Sequence, residues 1–402
     1  MRPFGETMPL EQAQAIIAAA VHPIERTERV PLDAASGRVL ARDVVATADV
    51  PPFSRAAMDG YAVRAEDTTG ATRARPTTLT RIEQVFTGQM PAKPVGAGQC
   101  TEIATGAPMP AGADAVVMVE ETEADASGRV RILSPVQPRQ NVGRQGADIQ
   151  AGQTVLHAGD VLNASRVGAL AALGIADADV YSRPGVAILS TGNEIVEPGR
   201  PLAPGQIYDI NRFTLSAIVS THGGVPHVLA IAGDTVSDIR DGLERAAAAD
   251  VIVFSGGSSA GEKDLIVDVL RASGEVIYHG IAVKPGKPTL FGRVQGKPVL
   301  GMPGNPTSCL SNAYLLLTPL LRRIARLPEY EPHTMTVPLA RRVVSTPGRH
   351  QFYTVAIVDG LAVPAFKASG DITSMSQADG YFEIDSETKI VEAGEMVRVM
   401  LF

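Results

Sequence analysis

Lys284-Pro285-Gly286-Lys287-Pro288 puts two ammonium groups on one short loop whose backbone is restricted by two prolines. Compact, rotatable donors of this kind suit the oxygens of a phosphate or another tetrahedral oxyanion. A lysine-bearing turn between strands also reads as a solvated hairpin, but a solubilising turn does not need two prolines. Two further segments have a physical reason to attract anions. Ser255-Gly256-Gly257-Ser-Ser-Ala-Gly261 and Gly301-Met-Pro303-Gly304-Asn305-Pro306 each run into the start of a helix. Helix starts offer unpaired N–H groups and a partial positive charge, and glycines let the backbone approach an anion closely. Pro306 suits the first helical turn, where its missing N–H costs nothing.

Carboxylates stand beside the same kind of loop. Glu194 ends Ser190-Thr-Gly-Asn-Glu194, Asp234 follows Gly233, and Asp264 follows Glu262-Lys263. Set at three separate strand ends, they could converge on Mg²⁺, which binds through a few oxygens and keeps several waters. The structural alternatives are that Asp264 complements a helix dipole and that Asp234 caps the helix beginning near Thr235. Any one of these loops alone is better read as a plain strand–helix turn; four on one rim point to a site. Arg55-Ala-Ala-Met-Asp59-Gly60-Tyr61, read alone, is an Asp-Gly turn. No Walker A pattern and no Gly-x-Gly-x-x-Gly follows a strand, and the seven histidines show no metal-ligand spacing.

The elements that must carry these loops alternate. Gly185–Ser190 is a continuous apolar run, as expected of a buried parallel strand. Strands are predicted at 226–231, 250–255 and 298–302, with helices near 209–222, 235–248, 263–272 and 306–326. This alternation describes a three-layer α/β domain with a mainly parallel sheet, whose ligands bind beyond the carboxyl ends of the strands. Residues 51–140 break into short β-prone pieces, 141–182 mix turns with one apolar helix, and the chain after 328 returns to short strands.

Composition sets the outer limits. At 402 residues, with 45% hydrophobic and 20% charged residues, the chain has material for several packed domains. Its net charge of −7 argues against nucleic-acid or anionic-membrane partners. Two cysteines without close spacing supply neither a disulfide framework nor a zinc cluster. No leader-like or membrane-spanning run is evident, so a cytoplasmic location is expected.

Together, Met58-Asp-Gly-Tyr-Ala-Val63, Thr105-Gly-Ala-Pro108, Ser190-Thr-Gly-Asn-Glu194, Ser255-Gly-Gly257, Lys284-Pro-Gly-Lys-Pro288 and Met302-Pro-Gly-Asn-Pro306 resemble the molybdopterin molybdenumtransferase family. The match runs in order from about residue 5 to the end. It implies an extended domain (1–50 and 141–182), an inserted β-barrel domain (51–140), an α/β molybdopterin-binding domain (183–327) and a small C-terminal β domain (328–402), assembled as a homodimer. The implied reaction takes adenylylated molybdopterin and molybdate, with Mg²⁺, to molybdenum cofactor and AMP. The resemblance assigns Ser255, Gly256, Gly257, Lys284, Lys287, the Pro303–Gly304–Asn305–Pro306 loop, Ser369 and Ser374 to substrate and anion. Glu194, Asp234 and Asp264 would hold the metal or polarise the phosphoanhydride. Asp59, Thr105 and Asp148 would approach the site of the partner subunit. Molybdopterin adenylyltransferase and apo-molybdoenzymes are the implied protein partners. Two other readings stand beside this one: a molybdopterin adenylyltransferase, and a non-catalytic scaffold of the gephyrin kind.

Overall fold

The computed structural model describes residues 7–256 and 265–402. The chain forms two compact units. One joins Met1–Arg29, Gly37–Val39 and Asp179–Phe402; the other joins Val30–Ser36 and Leu40–Ala178.

The first unit contains the alternating α/β region. Its strands are β1 (Gly185–Ser190), β2 (Val225–Val228), β3 (Val251–Ser255), β4 (Gly274–His279), β5 (Leu290–Val294) and β6 (Lys297–Met302), in the spatial order β2-β1-β3-β6-β5-β4. The four strands from β2 to β6 run parallel, and β5 and β4 are added antiparallel. The helices are α1 (Leu10–Ala20), α2 (Asn211–Thr221), α3 (Val236–Arg245), α4 (Leu265–Ser273), α5 (Pro306–Asn312) and α6 (Thr318–Ile324).

Alternate strand residues explain the three layers, because successive side chains point to opposite faces. Val186, Ile188, Val251, Val253 and Leu300 pack with residues of α1, α2 and α6. Ala187, Leu189, Ile252, Phe254 and Val299 pack with Ile239, Leu243, Ile266 and Leu270 of α3 and α4. Both faces of β3 are therefore buried, which is why it reads as an unbroken apolar run.

The single helix expected over 306–326 is interrupted by a π-helical turn at Ala313–Leu317 between α5 and α6. Pro319 has no N–H to return to the carbonyl four residues back, and its ring crowds that carbonyl. That oxygen, on Leu315, instead accepts a hydrogen bond from Gln14 Nε2 of α1 at 3.0 Å. The break is thus satisfied by a side chain some three hundred residues away in sequence.

The same unit also holds the C-terminal sheet. Val283–Lys284 pairs in parallel with the start of His350–Val358, which continues through Gly380–Ile384 and Met396–Leu401 to Thr334–Pro338. The lysine loop is therefore no solvated hairpin. It leaves the α/β region along a strand of the neighbouring sheet.

In the second unit, six strands form one mixed sheet in the order Ala115–Met118, Gly60–Val63, Gln99–Ile103, Thr77–Val85, Arg129–Ile132 and Thr122–Ala124. One apolar cluster gathers Tyr61, Val63, Leu79, Val117 and Ile132, and another gathers Ala62, Val85, Ile103 and Val116. Gly60 begins a strand and does not form the Asp-Gly turn expected of it. A Cβ there would lie 1.9 Å from the Val117 carbonyl oxygen, so close backbone approach explains the glycine. The helix Ala164–Ala172 is capped by Asn163, whose side chain accepts from the Arg166 N–H at 3.0 Å.

Candidate active site

At the carboxyl ends of β1, β3 and β6, each loop is tied to its neighbour. Thr191 N–H donates to the Ser255 carbonyl at 3.0 Å, Gly192 N–H to Ala232 at 3.2 Å, and Gly256 N–H to Met302 at 3.2 Å. Gly256 has a φ of +100°, and a Cβ on it would sit 2.5 Å from the Thr191 carbonyl oxygen. Glycine is required there for both conformation and space.

These loops line a cavity of about 1010 Å³. Its wall includes Ser190, Thr191, Glu194, Ser255, Gly256 and the whole Pro303–Pro306 loop. Lys284 and Lys287 line it from the lysine loop, and Ser369 from the C-terminal region. Arg349 and Lys367 line it as well. Four cationic residues thus line one cavity in a chain whose net charge is −7, which gives it a local preference for anions.

Each arm of the site is braced. Asn312, fully buried at the end of α5, donates through Nδ2 to the Gly286 carbonyl at 2.8 Å and to Thr289 Oγ1 at 2.5 Å. Gly286 has a φ of +110°, and a Cβ would lie 2.3 Å from that amide. Lys284 Nζ reaches Thr346 Oγ1 at 2.8 Å. Asn305 Nδ2 donates to Ser369 Oγ at 3.0 Å, and Thr307 N–H to the Ser369 carbonyl at 3.2 Å. Helix α5 therefore carries the Pro303–Pro306 loop at its start and clamps the lysine loop at its end.

Among the carboxylates, Glu194 lines the cavity and folds over Gly192, where a Cβ would meet its oxygens at 2.7 Å. Asp234 does not line it. Its Oδ2 accepts from the Asn193 N–H at 3.1 Å and so holds the turn that carries Glu194. Nor is Asp234 the helix cap: Thr235 takes that place, accepting from the Asp238 N–H at 3.1 Å. Asp264 and Gly257 lie outside the described residues. Ser374 is fully buried beside Thr307 Oγ1 at 3.3 Å, so it supports α5 without lining the cavity.

In the second unit, Asp59 Oδ1 accepts from the Thr105 N–H at 2.7 Å, and this bond holds the Asp59 carboxyl below its ordinary range. Asp148 belongs to a separate turn, its N–H bonded to the Val50 carbonyl at 3.0 Å.

Sequence reasoning missed Asp209, Asn211, Arg349 and Lys367. Asp209 and Asn211 read as a helix start, and Asp209 Oδ1 does accept from the Arg212 N–H at 3.1 Å. Their burial, 3% and 6% exposed, was the missing signal. Arg349 and Lys367 become visible only once the C-terminal sheet is known to reach the cavity.

Fold and cavity define a class of protein: a multidomain chain with an α/β region whose strand-end loops line a cavity suited to anionic ligands. Residues 8–174 match the MoeA N-terminal region (domains I and II), 187–323 the probable molybdopterin-binding domain, and 336–402 the MoeA C-terminal region (domain IV). The chain is 38% identical to molybdopterin molybdenumtransferase 2 of Mycobacterium tuberculosis, covering 97% of this chain and 98% of that one. It is 32% identical to the Haemophilus influenzae molybdopterin molybdenumtransferase over 98% of each chain. A crystal structure of the molybdopterin biosynthesis MoeA protein from Pyrococcus horikoshii superposes with a TM-score of 0.86 at 41% identity, covering 98% of this chain and 99% of that one. The chain belongs to the molybdopterin molybdenumtransferase family, and it is a transferase.

Proposed function

We propose that molybdenum is inserted into molybdopterin in the cavity at the ends of β1, β3 and β6. The observation that carries this placement is the convergence of Lys284, Lys287, Arg349 and Lys367 on a cavity walled by three strand-end loops. Molybdate and the substrate phosphates are tetrahedral oxyanions, and clustered ammonium and guanidinium groups bind them through short charge-assisted hydrogen bonds. Full-length likeness to molybdenumtransferases favours this activity over adenylylation of molybdopterin. The cation-lined cavity favours it over a scaffold without catalysis.

In this reading the substrate is adenylylated molybdopterin, and AMP leaves as molybdenum enters. Glu194 and Asp234, with Asp264, would hold Mg²⁺; the hard oxygen donors suit it, and Glu194 lines the cavity while Asp234 holds the adjoining turn. The ion would polarise the phosphoanhydride. Lys284 and Lys287 position the anion, Ser255, Gly256 and the Pro303–Pro306 loop present backbone to it, and Ser369 fixes Asn305. Asp59, Thr105 and Asp148 serve the site of a second copy in a homodimer. The enzyme works in the cytoplasm, receiving substrate from molybdopterin adenylyltransferase and passing product to apo-molybdoenzymes. No helix among the described residues is long and apolar enough to cross a membrane.

Equilibrium dialysis with molybdate tests the placement. Wild type should bind molybdate, and Lys284→Ala or Arg349→Ala should weaken it by roughly tenfold or more, the loss of one charged hydrogen bond. Unchanged affinity in both variants would place the anion elsewhere.

A further inference from the structure

Leu202, Ile207 and Tyr208 line the cavity and yet remain 43%, 55% and 41% exposed, so a ligand can reach them. Two of them stand on a short ribbon in which Ile195–Val196 pairs in parallel with Ile207–Tyr208, and Leu202 lies on the connection between its strands. None of the three, nor Ile195 beside them, belongs to the apolar clusters on the two faces of the sheet. Large apolar side chains gathered in water on a cavity wall, outside the core, mark a surface that a ligand covers.

The ribbon is held in place. Ile207 N–H donates to the Glu194 carbonyl and Asp209 N–H to the Val196 carbonyl, both at 2.9 Å. The Tyr208 hydroxyl donates to the Arg200 carbonyl at 2.9 Å, so its hydrogen is already committed. This wall therefore offers contact area and an aromatic ring, with no side-chain N–H or O–H free to read a polar edge.

The cavity thus combines an apolar wall with Lys284, Lys287, Arg349 and Lys367, whose side chains suit an oxyanion. A flat ring joined to phosphate matches both. Adenylylated molybdopterin carries two rings. The pyrimidinone edge of the pterin is lined with amide-like donors and acceptors, which need polar partners when buried. Adenine stacks through its faces on an aromatic side chain. The ribbon also begins immediately after Glu194, the residue proposed to hold the ion at the phosphoanhydride, so the wall adjoins the place of the adenylyl phosphate.

We propose that Tyr208, with Leu202 and Ile207, is the platform on which the adenine of the adenylylated substrate stacks. This rests on the cavity being the site of molybdenum insertion. The test measures affinities for AMP, ribose 5-phosphate, molybdopterin and molybdate in Mg²⁺, in wild type, Tyr208→Ala and Tyr208→Phe. Wild type should bind AMP roughly tenfold more tightly than ribose 5-phosphate, which lacks only the base. Tyr208→Ala should remove that advantage and leave ribose 5-phosphate, molybdopterin and molybdate within about twofold. Tyr208→Phe, which keeps the ring and gives up only the bond to Arg200, should bind AMP within threefold of wild type. AMP affinity within threefold of wild type in Tyr208→Ala would overturn the assignment. So would an equal loss for ribose 5-phosphate, which would make the effect structural, or a loss for molybdopterin with AMP unchanged, which would give the wall to the pterin. A wild type that binds neither AMP nor molybdate would instead remove the reading of the cavity on which this one rests.

Discussion

Glu194 and Asp234 show how far residue types at strand ends can be read. Both stand where the alternating pattern put them, yet only Glu194 lines the cavity, while Asp234 gives one carboxylate oxygen to the Asn193 N–H. Ser374 likewise supports Thr307 from a buried position. Side-chain direction in such turns depends on which backbone N–H groups are left unpaired, and spacing alone does not carry that. His222 is a residue whose chemistry only burial reveals. It packs edge-on against Tyr330 at 4.8 Å, and burial with the nearby Arg322 cation pushes its pKa from 6.5 to about 4. The folded protein thus disfavours the proton that the unfolded chain takes up near 6.5. Between those values the unfolded state binds more protons, so stability is full above about 6.5 and is lost as pH falls toward 4. Thermal melts at pH 7 and pH 5 should show a larger fall for wild type than for His222→Phe. Equal falls would mean that His222 is not held neutral.

At the level of elements, α5 and the π-turn behind it organise the site. The sequence pattern shows an apolar helix after Pro306 and a rigid loop at 284–288, but not that one end of the helix clamps the other loop. That link runs through Asn312, a polar residue in an apolar stretch whose partners, Gly286 and Thr289, lie more than twenty positions away. The interruption at Ala313–Leu317 follows from Pro319, which does stand in the sequence, but its cost is met by Gln14, and that pairing needs the fold. The parallel strands themselves were legible because burial on both faces leaves continuous apolar runs. Gly286→Ala tests the clamp. A Cβ would strike the Asn312 amide at 2.3 Å in a backbone conformation that disfavours side chains, so a loss of about 2 kcal/mol or more is expected. Denaturant unfolding should show it, together with weaker molybdate binding. A variant of wild-type stability would show that the loop is free to move away from α5.

Across the whole molecule, charge is distributed against the average. The chain is acidic, with a sequence isoelectric point of about 5.6, yet one cavity gathers four cations beside a carboxylate-bearing turn. The likeness to molybdenumtransferases spans nearly the full length of chain and relative, so every region has its counterpart. Asp59, Thr105 and Asp148 belong to the second compact unit, and their proposed service to a second copy is a property of an assembly. The most direct measurement is AMP release by the purified protein from adenylylated molybdopterin in Mg²⁺, with and without molybdate. Release that depends on molybdate and yields molybdenum cofactor, and that falls by roughly a hundredfold or more in Lys287→Ala, is the predicted result. Release that ignores molybdate, or that is unchanged in Lys287→Ala, would contradict the placement of molybdenum insertion in this cavity.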